Sequence, residues 1–519
     1  MSVGQNFRAQ LDSNSTQFDQ FDQFPENHRG FSSPYRSRHD ALGRIDHARK
    51  RRYNSAALTL GLHDGDAEII TVEDKYQLVE YLQSGCKAPD LFALGTEQEQ
   101  FVYYKGDFRP AAYDGPSPGI KSLLEGMSRF GWQPIEERGL PIEMRRDGCT
   151  ITLEPGGQFE LSGAPLKSAH QTFRETQAYH QELMVLGDEL GLCFLALGHQ
   201  PKHPRKDLPW MPKARYRIMK HHMPKVGSHG LDMMQSTCAL QVTLDFADEA
   251  DMVKKFRVAL GLQPLVTALF ANSPFVEGKS CGYLSYRSRI WRDTDPARCG
   301  SLPFVFEVGM GFERYTDYIL DVPMYFVLRN GEYIDASGLS FRDFLAGKLA
   351  VLPGQKPLLS DWENHLTTVF PQVRLKRYLE MRGADGGPVS RVAALPALWA
   401  GVLYDAQSLD AAWERVQQWT TEERDSLERG VAKHGFQMNF RDGTVQELVL
   451  WMLDLARQGL QRRDYQNELG QDESCYLDPL QQAAESGLTF SQVVLRRFQE
   501  EWMGNMEIAM PAMCEETFG

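Results

Sequence analysis

Residues 150–162 read TITLEPGGQFELS, and this stretch sets the fold class. Ile151, Leu153, Phe159 and Leu161 share one parity, while Glu154 and Glu160 share the other. A period of two is the signature of strands with one apolar and one polar face. Pro155-Gly156-Gly157 interrupts the run and reads as a turn or bulge. Residues 92–104 alternate in the same way and contain GTEQE (95–99), so Glu97 and Glu99, at i and i+2, point to one side of a strand. A third alternating run, CALQVTLDF (238–246), puts Gln241, Thr243 and Asp245 on one face.

Helical patterns lie between these strands. Leu78, Tyr81 and Leu82 recur at helical spacing in residues 72–84, and residues 167–190 form a long amphipathic stretch. Residues 249–271 read as a helix that Pro264 should kink or restart. Thr420 with Glu423 and Thr444 with Glu447 have capping-box spacing ahead of helical runs in a mostly helical C-terminal third. Strands and helices are interspersed without a regular strand–helix–strand rhythm. The expected class is α+β, with a mixed or antiparallel sheet flanked by helices. Residues 1–60, with QFDQFDQF at 17–24 and a basic stretch at 36–52, lack a sustained hydrophobic period and read as a loosely packed arm. Residues 61–510 read as one catalytic domain whose helical part covers about 405–505.

The net charge of −13 argues against non-specific nucleic-acid binding, which needs cations to neutralise phosphates. No apolar run approaches the roughly 20 residues that span a bilayer. The acidic N-terminal stretch (Asp12, Asp19, Asp22, Glu26) resembles neither a secretory signal nor an organelle transit peptide, which leaves the cytoplasm as the expectation. Eight scattered cysteines without a C-x-x-C pair read as reduced thiols.

Phosphate loops, dinucleotide fingerprints, H-E-x-x-H and G-x-S-x-G are all missing from the sequence. What remains is glutamates on strand-like segments: Glu97 and Glu99, Glu154 and Glu160, and Glu380 flanked by Arg377 and Arg382. Carboxylates gathered on one face repel unless a cation neutralises them, and magnesium or manganese prefers such oxygen ligands. Basic residues cluster at Arg205, Lys213, Arg215, Arg217 and Lys220, and again at Arg287, Arg289 and Arg292 around Trp291. Arginine forks of this kind suit carboxylates and phosphates.

The chain resembles the glutamate–cysteine ligases of plant and proteobacterial type. The resemblance covers roughly residues 76–501. It rests on SGCK (84–87), GTEQE (95–99), LEPGGQFELSGAP (153–165), MPKARYRIM (211–219), MPKVGSHGLDMM (223–234), ALFANSPF (268–275), SYRSRIW (285–291), DVPMYF (321–326), DWENHLTTVFP (361–371) and VRLKRYLEMRGADGGP (373–388). It implies a glutamine-synthetase-like funnel of strands. It also implies an ATP- and Mg2+-dependent ligation (Mn2+ being possible) that passes through γ-glutamyl phosphate to γ-glutamylcysteine, the first step of glutathione biosynthesis. By this resemblance Glu97, Glu99, Glu154, Glu160, Gln241 and Glu380 match metal positions. Arg382, beside Glu380, matches the arginine that steadies the transferring phosphoryl. Arg215, Arg287, Trp291 and Tyr325 match positions around the substrates. The partners implied are small molecules only, with the protein a monomer or homodimer.

Departures from the family pattern fall at Gln98 and Gln100, where EHEKF becomes EQEQF; at Arg289, where S-H-I-W becomes S-R-I-W; and at Gln235-Ser236 before the 238–246 strand. These are the specificity candidates: Gln98, Gln100, Gln235 and Arg289. Their alternative reading is a related ligase that joins glutamate, or a similar acid, to a different amine. The resemblance also implies that the plant enzymes' regulatory disulfides are missing, since the matching positions are Phe173, Ala393, Ala336 and Val351.

Overall fold

A computed structural model of the chain describes residues 70–518. The expected N-terminal arm, with its repeat and basic stretch, lies outside the described residues. Nine strands form the main sheet: β1 (Leu94–Tyr104), β2 (Gln133–Glu137), β3 (Leu140–Arg146), β4 (Cys149–Leu153), β5 (Phe159–Ser162), β6 (Leu192–Leu195), β7 (Ala239–Leu244), β8 (Val373–Leu375) and β9 (Leu379–Asp385). Their order is β8-β9-β7-β1-β5-β4-β3-β2, with β6 added along the far half of β1. Every pairing in this sheet is antiparallel. This is the α+β class that the alternating runs predict, with the antiparallel option taken.

The register follows from burial. Ile151, Leu153, Phe159 and Leu161 are all at most 1% exposed, packed with Leu183 and Leu186 of α1 (Ala169–Leu190). Each such side chain is worth roughly 1.5–3 kcal/mol when fully buried. Slipping β4 or β5 by one residue would turn these four toward the polar face and drive Glu160 into the apolar layer, so one register dominates. Helix α1 starts at Ser168, whose side chain accepts from the Gln171 N–H, and ends at Gly191 in the left-handed conformation.

Helix α2 (Ala214–His222) and α3 (Gly230–Ser236) precede β7, and α4 (Glu249–Leu269) follows it. Proline does not restart α4: the helix runs through Pro264 to Leu269. Residues 258–269 are all buried, so packing on every side holds the helix where one hydrogen bond is forfeited. Helix α5 (Tyr286–Trp291) is short. Helix α6 (Ala394–Leu403) is buried at every position, and it crosses α7 (Val445–Arg463) closely enough that a Cβ on Gly401 would stand 2.3 Å from the Ala456 carbonyl oxygen. The two capping boxes form as spaced, Thr420 with Glu423 and Thr444 with Glu447. Finally, α8 (Met506–Glu515) packs Met506, Met510 and Met513 around Phe101, Tyr103 and Leu195, closing the sheet beyond the glutamates of β1.

Candidate active site

Direct cross-strand partners in an antiparallel sheet point to the same face. Glu99 stands opposite Glu160, Glu160 opposite Thr152, Glu97 opposite Gln241, Thr243 opposite Glu380, and Glu380 opposite Arg374. One polar row therefore crosses β4, β5, β1, β7, β9 and β8. Glu154 keeps the parity of Thr152 and extends the row at the end of β4. The convergence that spacing alone left open is fixed by register.

Each member is held locally. Residues 154–157 form a tight turn in which the Gly157 N–H donates to the Glu154 carbonyl oxygen (2.9 Å). Gly157 has φ +89°, and a Cβ on Gly156 would lie 2.3 Å from the Gln235 carbonyl oxygen, so glycine is required twice. Buried Gln158 ties this turn to the end of α3, donating to the carbonyls of Met234 and Thr237. Tyr216 of α2 donates to the Leu153 carbonyl (2.6 Å), bringing Lys213 and Arg215 over Glu154. In β9, Arg382 and Gly383 fall at an irregularity between Met381 and Ala384, and the Arg382 guanidinium returns to Glu380 (3.1 Å).

Charge is divided unevenly along the row. Burial, then the charges of Glu380 and Glu160, push Glu97 up to about 8. Burial and Glu154 push Glu160 up to about 7, against the hydrogen bond from Thr152 (2.7 Å). Burial and neighbouring carboxylates also raise Glu99 and Glu154. Glu380 differs: burial opposes its charge, but Arg374, Lys376 and Arg382 overcome this and hold it well below the ordinary range. Arg374 Nε lies 2.5 Å and Lys376 Nζ 3.5 Å from its carboxylate. The role of these two cations was not drawn from the sequence. The signal was present, since Arg374, Lys376, Glu380 and Arg382 share one parity through the 373–385 hairpin.

Beside Glu380 a cleft is lined by Arg287, Trp291, Phe370, Gln372 and Arg382. Trp291 meets Phe370 edge to face, and the Arg382 guanidinium stands 5.8 Å from both ring centres. Arg287 donates to the Arg382 carbonyl (2.8 Å). Tyr325 sits elsewhere in the packing: its hydroxyl lies 3.4 Å from Asp295 and 3.5 Å from Met223, with Arg298 stacked on its ring.

The four specificity candidates do not face the row or the cleft. Gln98 and Gln100 alternate with the glutamates and so point to the opposite face of β1. There Gln98 donates to Thr176 (3.2 Å) and accepts from His180 (2.7 Å), and Gln100 lies 2.9 Å from the same His180 nitrogen. Gln235 spends its amide on the carbonyls of Leu208 and Pro209. Arg289 is two residues from Arg287 on a helix, hence on the other side of α5, where it pairs with Asp293 (3.5 Å).

Among the described residues, no three carboxylate, histidine or cysteine side chains close on a single point as they stand. The donor set nonetheless suits a hard cation: buried oxygens Gln241 Oε1 and Glu380 Oε1 have no hydrogen-bond partner, and the carboxylates around them repel.

This architecture defines a class of enzyme: a ligase whose sheet offers a carboxylate row and arginines in place of a phosphate loop or a side-chain nucleophile. Residues 93–512 match the model of glutamate–cysteine ligase family 2, and the chain belongs to that family. It is 51% identical over 441 residues to chloroplastic glutamate–cysteine ligase B of Oryza sativa subsp. japonica, covering 85% of this chain and 86% of the relative. It is 50% identical over 436 residues to the chloroplastic enzyme of Arabidopsis thaliana, covering 84% and 81%. A solved glutamate–cysteine ligase from Francisella tularensis in complex with AMP has a TM-score of 0.48 at 12% identity, over 82% of this chain and 91% of that one. The plant relatives are chloroplastic enzymes, and this overturns the expectation of a cytoplasmic protein. No described helix is long and apolar enough to cross a membrane.

Proposed function

We propose that the polar row binds metal-bound ATP, that the adjoining cleft binds glutamate, and that the protein joins the γ-carboxylate of glutamate to the amine of cysteine. The observation that carries this reading is the placement of five glutamates on one face, with cations at both ends of the row: Arg374, Lys376 and Arg382 at Glu380, and Lys213 and Arg215 over Glu154. Glu97, Glu99, Glu154, Glu160, Gln241 and Glu380 are the residues that would hold Mg2+ or Mn2+. When bound, the ion neutralises phosphate oxygens and polarises the transferred phosphoryl. The chain's own groups do the rest by position and charge. Arg382, oriented by Glu380 and set beside the Trp291–Phe370 pair, bridges row and cleft. It is placed to stabilise negative charge on a phosphoryl passing from ATP to the γ-carboxylate. Arg287 and Trp291 orient the amino acid so that its γ-carboxylate approaches that phosphoryl. Lys213 and Arg215, over Glu154, face the polyphosphate. The γ-glutamyl phosphate then loses phosphate as the cysteine amine bonds to the acyl carbon and gives up a proton.

Support for a different acceptor rested on the departures at 98, 100, 235, 236 and 289, of which Gln98, Gln100, Gln235 and Arg289 make their contacts away from the row and the cleft. The deciding experiment measures ADP release with Mg2+, ATP and glutamate, with and without cysteine, and weighs the product. Cysteine-dependent release with a γ-glutamylcysteine mass is expected. Rescue by another amine but not by cysteine would overturn the acceptor.

A further inference from the structure

Asp385 ends β9, is 1% exposed and takes no part in the polar row. Its Oδ2 accepts from the Asn272 N–H (2.9 Å) and the Ser273 hydroxyl (2.6 Å), and its Oδ1 accepts from the Ser285 hydroxyl (2.9 Å). Both serines are fully buried, and each passes the contact on to the start of α5. Ser273 Oγ accepts from the Arg287 N–H (3.1 Å), and Ser285, the N-cap, accepts from the Ser288 N–H (3.2 Å). The carboxylate also has no room to turn, since a Cβ on Gly198 would fall 2.4 Å from its Cγ. Arg287 is itself only 3% exposed, and its Nε has no hydrogen-bond partner among the described residues, while NH2 is fixed on the Arg382 carbonyl.

A buried carboxylate is costly unless its lone pairs are satisfied and a cation faces it. Here the hydrogen bonds converge on the helix that carries Arg287 and Trp291, and burial is opposed chiefly by the Arg287 charge. We infer that Asp385 is a positioning residue for substrate binding: through Ser273 and Ser285 it fixes the start of α5, and with it the backbone from which the Arg287 side chain reaches to receive the carboxylate of an α-amino dicarboxylic acid. This rests on the reading of Arg287 as a substrate-binding group.

The test compares steady-state kinetics and thermal unfolding of D385N, S285A, R287A and the D385N/R287A double variant. D385N keeps shape and loses charge. Its KM for glutamate is expected to rise roughly ten- to hundredfold, the scale of a charged hydrogen bond. KM for ATP and the melting temperature should stay close to the parent. S285A should show a smaller rise with the same selectivity for glutamate. In the R287A background D385N should add little. Full additivity in the double variant, or equal rises in KM for ATP and glutamate with a lowered melting temperature, would reduce Asp385 to a structural role and overturn the inference. If D385N does not fold, S285A decides alone: a glutamate KM equal to the parent's overturns it. An R287A variant with unchanged glutamate KM would overturn the underlying reading of Arg287, an outcome distinguishable from failure of D385N with R287A impaired.

Discussion

The two faces of β1 carry the same four-residue string, Glu97-Gln98-Glu99-Gln100, and make opposite uses of it. On one side the glutamates meet Gln241 and Glu160 across the sheet and stay partly open to solvent. On the other side the glutamines are buried and bonded to Thr176 and His180 of α1. The site face is built of like charges that cost stability, and the helix face of buried neutral polar groups that contact one another. On the proposed function, activity and stability are thus separated by the alternation of a single strand.

The sharpest way to break this comparison is on the site face. E160Q or E380Q should lower turnover by roughly two to three orders of magnitude, the scale of losing one preorganised charge in a phosphoryl-transfer site. The fold should survive, and E160Q without divalent ions should be at least as stable as the parent. Near-normal ADP release by either variant would undo the assignment of the row.

On the helix face, H180A should do the converse. It opens a buried cavity and strands the two glutamine amides, costing about 2–4 kcal/mol in urea unfolding. Turnover per folded molecule should remain near the parent's. A large loss of turnover with intact stability would show that the two faces are not independent.

The faces should also differ in the sign of their pH dependence. Glu160 sits at about 7 when folded against an ordinary value of 4.5, so its favourable contribution is full in acid. In chelator-treated protein that contribution is lost as pH rises from 4.5 through 7, at up to about 1.4 kcal/mol per pH unit. His180 is pushed by burial down to about 3 from 6.5. Its contribution is full above 6.5 and falls by up to about 1.4 kcal/mol per pH unit as acid is added below that. Unfolding free energies of E160Q and H180A across pH 5 to 8 should each make one limb of the parent profile shallower and leave the other unchanged. Flattening of the same limb by both would contradict the separation.

The smallest effect is expected at Arg289. R289S removes only a surface pair with Asp293, worth at most about 1 kcal/mol. Discrimination between cysteine and other amines, read as a ratio of kcat/KM values, should stay within about twofold. A marked change in that ratio would restore Arg289 as a specificity determinant.

The sequence by itself determined the strand character of residues 94–104, 149–162 and 239–244, because alternation is a local property of the backbone. It also determined which side of each strand is polar, and hence that Glu97 and Glu99 share a face and that Glu154 and Glu160 share another. The long resemblance to one ligase family implied roles for Glu380, Gln241, Arg382 and Arg287. Only the tertiary structure decided that these faces are one face, because register between strands distant in sequence is set by burial of the opposite side and not by spacing. The same limit applies to Gln98 and Gln100. Substitution within a motif marked them as interesting, but parity sends them toward α1, and what they meet there depends on a helix more than 70 residues away. Asp385 was invisible for the same reason: its partners Ser273 and Ser285 come from loops that only the folded chain brings to the end of β9.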